Sequence, residues 1–461
     1  MKIEVVRTDE LGDRSYVVHE GADAVVVDPQ RDLDRVERLL EQLGLGVALV
    51  VETHIHNDYV TGGFELARRT GARYAVNAAD PVAFTRLAVS DGDVLDAGPL
   101  QVTVHATPGH TDTHLAYVVI DTDHPHEPPA VFTGGSLLYG SVGRTDLVDP
   151  ARTVELTHAQ YRSAHRLVTM LPDDSRVFPT HGFGSFCSAG SATGGDHSTI
   201  GVERGRNDAL TATDEQTFVA DLVASLTAYP SYYVHIAPLN RRGPAGPDLS
   251  APEPVDPHEL AERIAIGEWV VDLRDRVAYA ADHLGGSVSI ELGTQFATYV
   301  GWLAPWGGPL TLIGATPGQI ADARRQLVRI GIDHLAGAAS GEPDELAGGR
   351  PRRSYPRVDF AATSAGRPEH EPILDVRRDD ERRWGGIAGS AHVPLAELLT
   401  RLDDLPDGRI WVHCATGFRA GIAASLLERA GREVVHIDDD YERAAESGLA
   451  VEVPAGRRVH H

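Results

Sequence analysis

The stretch that most constrains the fold is Val51 to Gly63, VETHIHNDYVTGG. An apolar run from Gly46 to Val51 reads as a buried strand and empties into a polar turn holding His54, His56 and Asp58. Residues two apart on an extended segment point to the same side, so both imidazoles aim at one point, with a carboxylate two residues on. Such convergence can start a metal site, but one His pair alone is as well explained by a polar surface turn. Two later stretches change the balance. Thr107 to His114, TPGHTDTH, sets His110 in a Pro-Gly turn after the strand pattern Leu100 to Ala106. Phe178 to Gly182, FPTHG, does the same for His181. Three histidine turns at the C-terminal ends of three apolar runs predict one rim that gathers ligands.

On these residues the chain resembles the metallo-β-lactamase superfamily, whose first motif is H-x-H-x-D-H and whose later histidines are matched by His110 and His181. The segments GRTD (Gly143 to Asp146) and GSFC (Gly184 to Cys187) are most similar to the persulfide dioxygenase branch. The resemblance covers roughly the first half of the chain and implies an α/β fold that begins with an αββα sandwich. Two positions depart from the pattern. Tyr59 stands where the motif ends in His, and Gly135 stands where the family carries the aspartate of F-T-G-D. In persulfide dioxygenases, iron is held by the residues matching His54 and His110 together with that aspartate, which Gly135 cannot supply. In the zinc hydrolases the same aspartate bridges two metals, so an ordinary binuclear site is not expected.

His54, His56, Asp58, His110 and His181 remain as candidate ligands. Three imidazoles and a water complete a tetrahedral ion, and two imidazoles with Asp58 imitate an open two-His-one-carboxylate site. A Tyr59 phenolate is a lesser alternative, given the ordinary phenol pKa of about 10. One divalent metal is expected, Fe(II) ahead of Zn(II). Arg144 and Asp146 are expected, from the same resemblance, to position substrate. Cys187 reads equally as a reactive thiol beside the metal and as a small packing residue. Asp28 reads as a turn cap, and His124, His126, His158 and His165 as ordinary loop and helix-face residues.

With 461 residues the chain exceeds one ordinary domain of about 100–200 residues. The formal net charge of -25 argues against nucleic acid and anionic membrane surfaces. Two cysteines, Cys187 and Cys414, cannot form a disulfide scaffold, which suits a reducing cytoplasm. The N-terminal sequence shows no secretory leader pattern, and no apolar run approaches the ~20 residues of a membrane span. Helices are expected over Leu33 to Leu43, Phe64 to Thr70, Thr153 to Leu171 and Glu215 to Ala228. A linker is expected in the Pro/Gly-rich run Arg241 to Pro257.

Beyond it lies a weak internal repeat. WVVDLRD (Trp269 to Asp275), AADHLGGSVSI (Ala280 to Ile290) and the strand Leu310 to Ile313 are answered by PILDVRR (Pro372 to Arg378), GGIAGSAHVPL (Gly385 to Leu395) and the strand Ile410 to His413. Helices follow at Pro317 to Ile330 and Arg419 to Ala430. In the second copy the strand runs into Cys414-Ala415-Thr416-Gly417-Phe418-Arg419, a loop of six residues before a helix. Backbone N–H groups and the helix dipole at such a loop stabilise a thiolate, and Arg419 adds charge. The repeated order resembles the rhodanese fold, and C-x-x-G-x-R resembles its active loop. Cys414, Gly417 and Arg419 are thus implied as the sulfur-carrying site, while a buried structural cysteine and a C-x5-R phosphatase are the competing readings. The first copy has Ile313-Gly314-Ala315-Thr316-Pro317 at the same place and is expected to be silent, with Trp302 and Trp306 as core or interface anchors.

Three domains are expected, 1–245, 256–345 and 358–461, the last two rhodanese-like. The resemblance implies oxidation of a low-molecular-weight persulfide with O2 to sulfite, and sulfane sulfur transfer through Cys414. A zinc thioesterase of glyoxalase II type and a metal-free sulfurtransferase are the alternatives, and a homo-oligomer is allowed.

Overall fold

The computed structural model describes residues 1–189 and 195–452. The tail of the last expected domain, 453–461, and residues 190–194 of the loop after His181 lie outside the described residues. The chain divides into two compact units, Met1–Asp248 with Arg325–Asp333, and Leu249–Arg324 with His334–His461.

In the first unit, six strands, Lys2–Thr8, Asp13–Glu20, Asp23–Val27, Gly46–Val51, Arg73–Asn77 and Leu87–Val89, lie side by side in chain order. The first three pair antiparallel and the rest parallel. The second sheet runs in reverse chain order from Ser198–Thr199 through Arg176–Pro179, Ala130–Gly134, Leu115–Asp121 and Leu100–Ala106 to Val94–Ala97.

Side-chain alternation along the strands dictates the layers. Val18, Val25, Val27, Leu49 and Val51 face Val102, Tyr117 and Phe132 across the space between the sheets. Their neighbours Val17, Ala24, Val26 and Val50 point outward and are covered by the helices Asp34–Leu43 and Gly63–Thr70. The helix Thr153–Met170 covers the other sheet through Ala164, Leu167 and Val168. Because both faces of each sheet are buried, the central strands are continuously apolar rather than alternating. This is the αββα sandwich, and its strand ends place the histidine turns on one rim.

The second unit contains two parallel sheets, one for each copy of the repeat. Val288–Ser289, Trp269–Asp272, Leu310–Gly314 and Gly337–Ser340 form the first. Arg357–Val358, Val434–Ile437, Ile410–His413, Ile373–Asp375 and Ala391–His392 form the second. The repeat has a common physical device. Arg274 forks onto Asp272 at 2.6 Å and onto the Asp282 carbonyl at 2.9 Å, and Arg377 forks onto Asp375 and the Gly385 carbonyl, both at 2.7 Å. Each buried ion pair ties the first strand's end to the turn that follows. Trp306 is 37% exposed and so is no core residue; Trp302 is half-buried and stacks on Tyr299. Among the described residues no helix is long and apolar enough to cross a membrane.

His413 and His436 are fully buried beside the Cys414 loop, and burial pushes each down to about 4 despite Asp375 and the Gly417 carbonyl. Their folded values lie below the unfolded one, so the stability they confer is complete above pH ~6.5 and is lost as the pH falls toward 4. Each group costs on the order of 1 kcal/mol between pH 7.5 and 5.5. His436→Gln, which can retain a donor to Gly417, is expected to flatten the pH dependence of urea-unfolding stability by that amount.

Candidate metal centre

The rim is built around Asp28, which ends the strand Asp23–Val27 in a left-handed conformation (φ 49°) that a short polar side chain tolerates. Its carboxylate accepts from the Thr53 N–H and Thr53 Oγ1, both at 2.7 Å, and from Thr180 Oγ1 at 2.5 Å. Thr53 and Thr180 each immediately precede a histidine, so one carboxylate fixes the turns of His54 and His181. Burial opposes the charge on Asp28, but His56 and these donors hold its carboxyl below the usual range.

His54, His56, Asp58, His110 and His181 are all buried at this rim, each at most 2% exposed. One ligand atom from each of His54, His110 and His181 lies within 4.8 Å of the others, and the same holds for His56, Asp58 and His181. The back of each ring is occupied. His54 Nδ1 meets Thr53 Oγ1 at 2.9 Å; because that hydroxyl already donates to Asp28, the ring donates to it. His110 Nδ1 donates to the Arg144 carbonyl at 2.7 Å. His181 Nδ1 lies 2.8 Å from Asp13 and 3.2 Å from Asp58. His56 Nε2 lies 3.3 Å from both Asp28 and Glu52 and 2.9 Å from the Tyr59 hydroxyl. These contacts assign the proton to the outer nitrogen of each ring and leave the inner one to bind.

The donor set fits a cation. His56 Nδ1, Asp58 Oδ1 and His110 Nε2 are buried with no hydrogen-bond partner among the described residues, a state that native interiors usually relieve with an ion, a ligand or water. His54 Nε2 and His181 Nε2 stand 3.3 Å apart, the separation of two nitrogens each about 2.0–2.1 Å from a tetrahedral ion. Two ring nitrogens that close need a positive charge between them, a proton or a metal.

Electrostatics divide the site. Burial and neighbouring imidazoles push His110 down to about 3 and His54 well below its ordinary value, so both are neutral ligands. Burial opposes charge on His181 and His56, but Asp58 and Asp13 raise the first to about 10, and Asp28 and Glu52 raise the second to about 9. Burial and the Asp58 carboxylate hold Asp13 up at about 8.

Several expectations are corrected. Tyr59 is no phenolate ligand: burial, Asp28 and Glu52 push its hydroxyl well above 10, and it serves His56. Asp28 does more than cap a turn. Cys187 is a packing residue, fully buried and 3.9 Å from the Tyr233 hydroxyl, with its thiol driven up by burial and by Asp58. Arg144 is 1% exposed and locked by Asp146 (2.7 and 2.8 Å) and the carbonyls of Phe186 and Thr227. Its backbone orients His110, and its side chain braces the loop of Cys187.

Three contributors were missed by sequence reasoning: Asp13, Glu52 and His114. His114 is not placed to ligate, since Nδ1 meets Thr107 Oγ1 at 2.9 Å and Nε2 accepts from the Gly135 N–H at 3.0 Å. It stacks on His54 at 4.9 Å. Only the sequence TPGHTDTH hinted at it, while Asp13 and Glu52 carried no motif.

In the second unit Cys414 is 1% exposed at the end of Ile410–His413. The helix begins at Phe418, so the loop is four residues, Cys414 to Gly417, rather than six; Phe418 and Arg419 form the first helical turn. Gly417 is needed on two counts: φ is +86°, and a Cβ there would meet Asp438 Oδ1 at 1.9 Å. The Arg419 guanidinium is bound by Glu381 at 2.5 and 2.7 Å. Tyr299, from the copy without a cysteine, packs edge-on against Phe418 at 5.4 Å.

Comparison with known proteins agrees with both architectures. Residues 9–181 match the metallo-beta-lactamase superfamily and residues 360–446 the rhodanese-like domain. The chain belongs to the metallo-beta-lactamase superfamily, with a first half homologous to persulfide dioxygenases and a rhodanese-like domain near its C-terminus. Human mitochondrial persulfide dioxygenase is 31% identical over 208 residues, 45% of this chain and 72% of that one. A hydroxyacylglutathione hydrolase of Albidiferax ferrireducens is 32% identical over 166 residues, 36% of this chain and 60% of that one. The crystal structure of a metallo-beta-lactamase from Staphylococcus aureus subsp. aureus COL superposes with a TM-score of 0.66 at 25% identity, covering 74% of this chain and 99% of that one.

A Cβ at Gly135 would lie 2.4 Å from His110 Cδ2. Gly135→Ala is therefore expected to displace the His110 ring, destabilise the protein by about 1–3 kcal/mol and weaken metal binding. Thermal melts and metal titration check this.

Proposed function

We propose that this chain is a metal-dependent persulfide dioxygenase joined to a sulfurtransferase, with domains at 1–245, 256–345 and 358–461. The observation that carries the reading is the pairing, in one chain, of a buried imidazole cluster on an αββα rim with a cysteine at a helix N-terminus. Both suit a persulfide, R–S–SH. The likeness to a persulfide dioxygenase supports the first half of the reading, and the rhodanese-like match the second. An acidic chain with two cysteines suits a cytoplasmic setting.

His54 and His110 are the first ligands, and His56, Asp58 and His181 are the candidates from which the remaining donor is drawn. Fe(II), when bound, supplies the redox chemistry with O2 that the side chains lack. The protein's own part is preorganisation. Thr53, the Arg144 carbonyl, Asp13 and Asp28 each fix one ring, so the ligands need no reorganisation when a metal or substrate binds. The balanced reaction takes R–S–SH, O2 and water to R–SH, sulfite and two protons.

In the second site the Cys414 thiolate attacks the outer sulfur of a persulfide. The S–S bond breaks, the R–S side leaves as R–SH with the persulfide's proton, and Cys414 holds the sulfur as an anionic persulfide. The N–H groups around Gly417 and the helix N-terminus stabilise that charge. Attack by sulfite on the outer sulfur returns the Cys414 thiolate and releases thiosulfate.

A second reading, zinc-dependent thioester hydrolysis, is favoured by the likeness to a hydroxyacylglutathione hydrolase. A third leaves Cys414 as the only active centre. An oxygen electrode decides among them. One O2 consumed per glutathione persulfide, with sulfite formed, supports the proposal; thioester hydrolysis without O2 uptake contradicts it. Cys414→Ser is expected to reduce thiosulfate formation to the uncatalysed background while leaving O2 uptake in place. Loss of both activities in that variant would favour the third reading.

A further inference from the structure

We propose that His181 supplies the metal ligand that Gly135 lacks, making a centre of three imidazoles, His54, His110 and His181, with Asp13 as the positioning residue. This rests on the metal-dependent reading of the first unit and goes beyond it by naming the ligand set.

The space for a carboxylate at position 135 is closed. A Cβ there would lie 2.4 and 2.6 Å from His110 Cδ2 and Cγ, and one at Gly143 would lie 2.7 Å from His110 Nδ1. The His110 ring thus lies flat against the backbone of two glycines, in the volume an aspartate side chain would need. Its Nε2 is left bare and buried. The third donor comes from the other side. His181 Nε2 approaches His54 Nε2 to 3.3 Å, and the two join His110 in one group within 4.8 Å. Asp58 belongs to a different group, with His56 and His181. One of its oxygens is already spent on His181 Nδ1 and Ser185 Oγ.

His181 is held for this task. Asp13 accepts from its Nδ1 at 2.8 Å and so directs Nε2 inward. The strand carrying Asp13 is stapled to the loop of His181 by hydrogen bonds from Arg14 N–H to the Thr180 carbonyl (2.8 Å) and from Phe183 N–H to the Gly12 carbonyl (3.2 Å). Gly12 permits the approach: a Cβ there would lie 2.3 Å from the Ser185 nitrogen. Replacing a carboxylate by an imidazole leaves the centre one unit more positive, which strengthens its hold on an anionic sulfur ligand.

The test uses the full chain loaded with Co(II), read by metal analysis and by the paramagnetically shifted, solvent-exchangeable ring N–H protons of coordinated histidines. Wild type is expected to hold about one Co(II) and lose at least about tenfold in affinity on Asp13→Asn. His181→Gln is expected to lose a shifted N–H signal together with most of its metal, whereas Asp58→Asn keeps both. Circular dichroism melts verify that each variant is folded; should His181→Gln not fold, the comparison of Asp13→Asn with Asp58→Asn carries the test. A folded His181→Gln that binds Co(II) like wild type, or an Asp58→Asn that loses it more than Asp13→Asn, overturns the ligand assignment and leaves the metal-dependent reading standing. Failure of wild type to bind any metal overturns both.

Discussion

The first unit depends on one buried carboxylate. Asp28 sits in a left-handed bend at the end of a core strand and binds Thr53 and Thr180, residues 25 and 152 positions away in the chain. It gives the turns carrying His54 and His181 one common reference, in addition to the backbone hydrogen bonds that Thr53 and Thr180 make to their neighbours. A bend of this kind costs of order 1–3 kcal/mol and persists where the surroundings over-determine it. Here the return is a rim whose histidines are oriented in advance.

The same logic extends outward. Each ring has a different fixed partner: a hydroxyl for His54, a carbonyl for His110, and carboxylates for His56 and His181. The neutral pair and the carboxylate-backed pair have opposite electrostatic environments, although all four are buried. Tyr59 belongs to this outer layer. It stands where the first histidine motif ends and holds His56 through its hydroxyl. Gly135 likewise trades a side chain for the close packing of His110. The two departures from the motif thus share one outcome: Tyr59 supports His56 and Gly135 admits the His110 ring.

Much of this was legible in the chain. Apolar runs ending in T-H-x-H, P-G-H and T-H-G announced the rim, because strand ends and histidine turns are local signals. The repeat of D-x-R, turn, strand and helix announced two parallel sheets for the same reason. Contacts made across long separations were not legible. Asp13 meets His181 from 168 positions away and Glu52 has no motif, so neither could be found by spacing. The loop length before Phe418 was misjudged because Gly417 in a left-handed conformation ends the loop and starts the helix at once. Cys187 reads equally as reactive and as packing in sequence, because the burial and the Asp58 carboxylate that raise its thiol are tertiary facts.

The account stands on the imidazole cluster being a metal centre. Its most direct test is elemental analysis of protein purified without oxygen, alongside a folded His54→Ala/His110→Ala double variant. About one iron per chain is expected in the first and none in the second. Stoichiometric zinc would contradict the dioxygenase reading, and the absence of any metal from both proteins would contradict the account altogether, leaving Cys414 as the active centre.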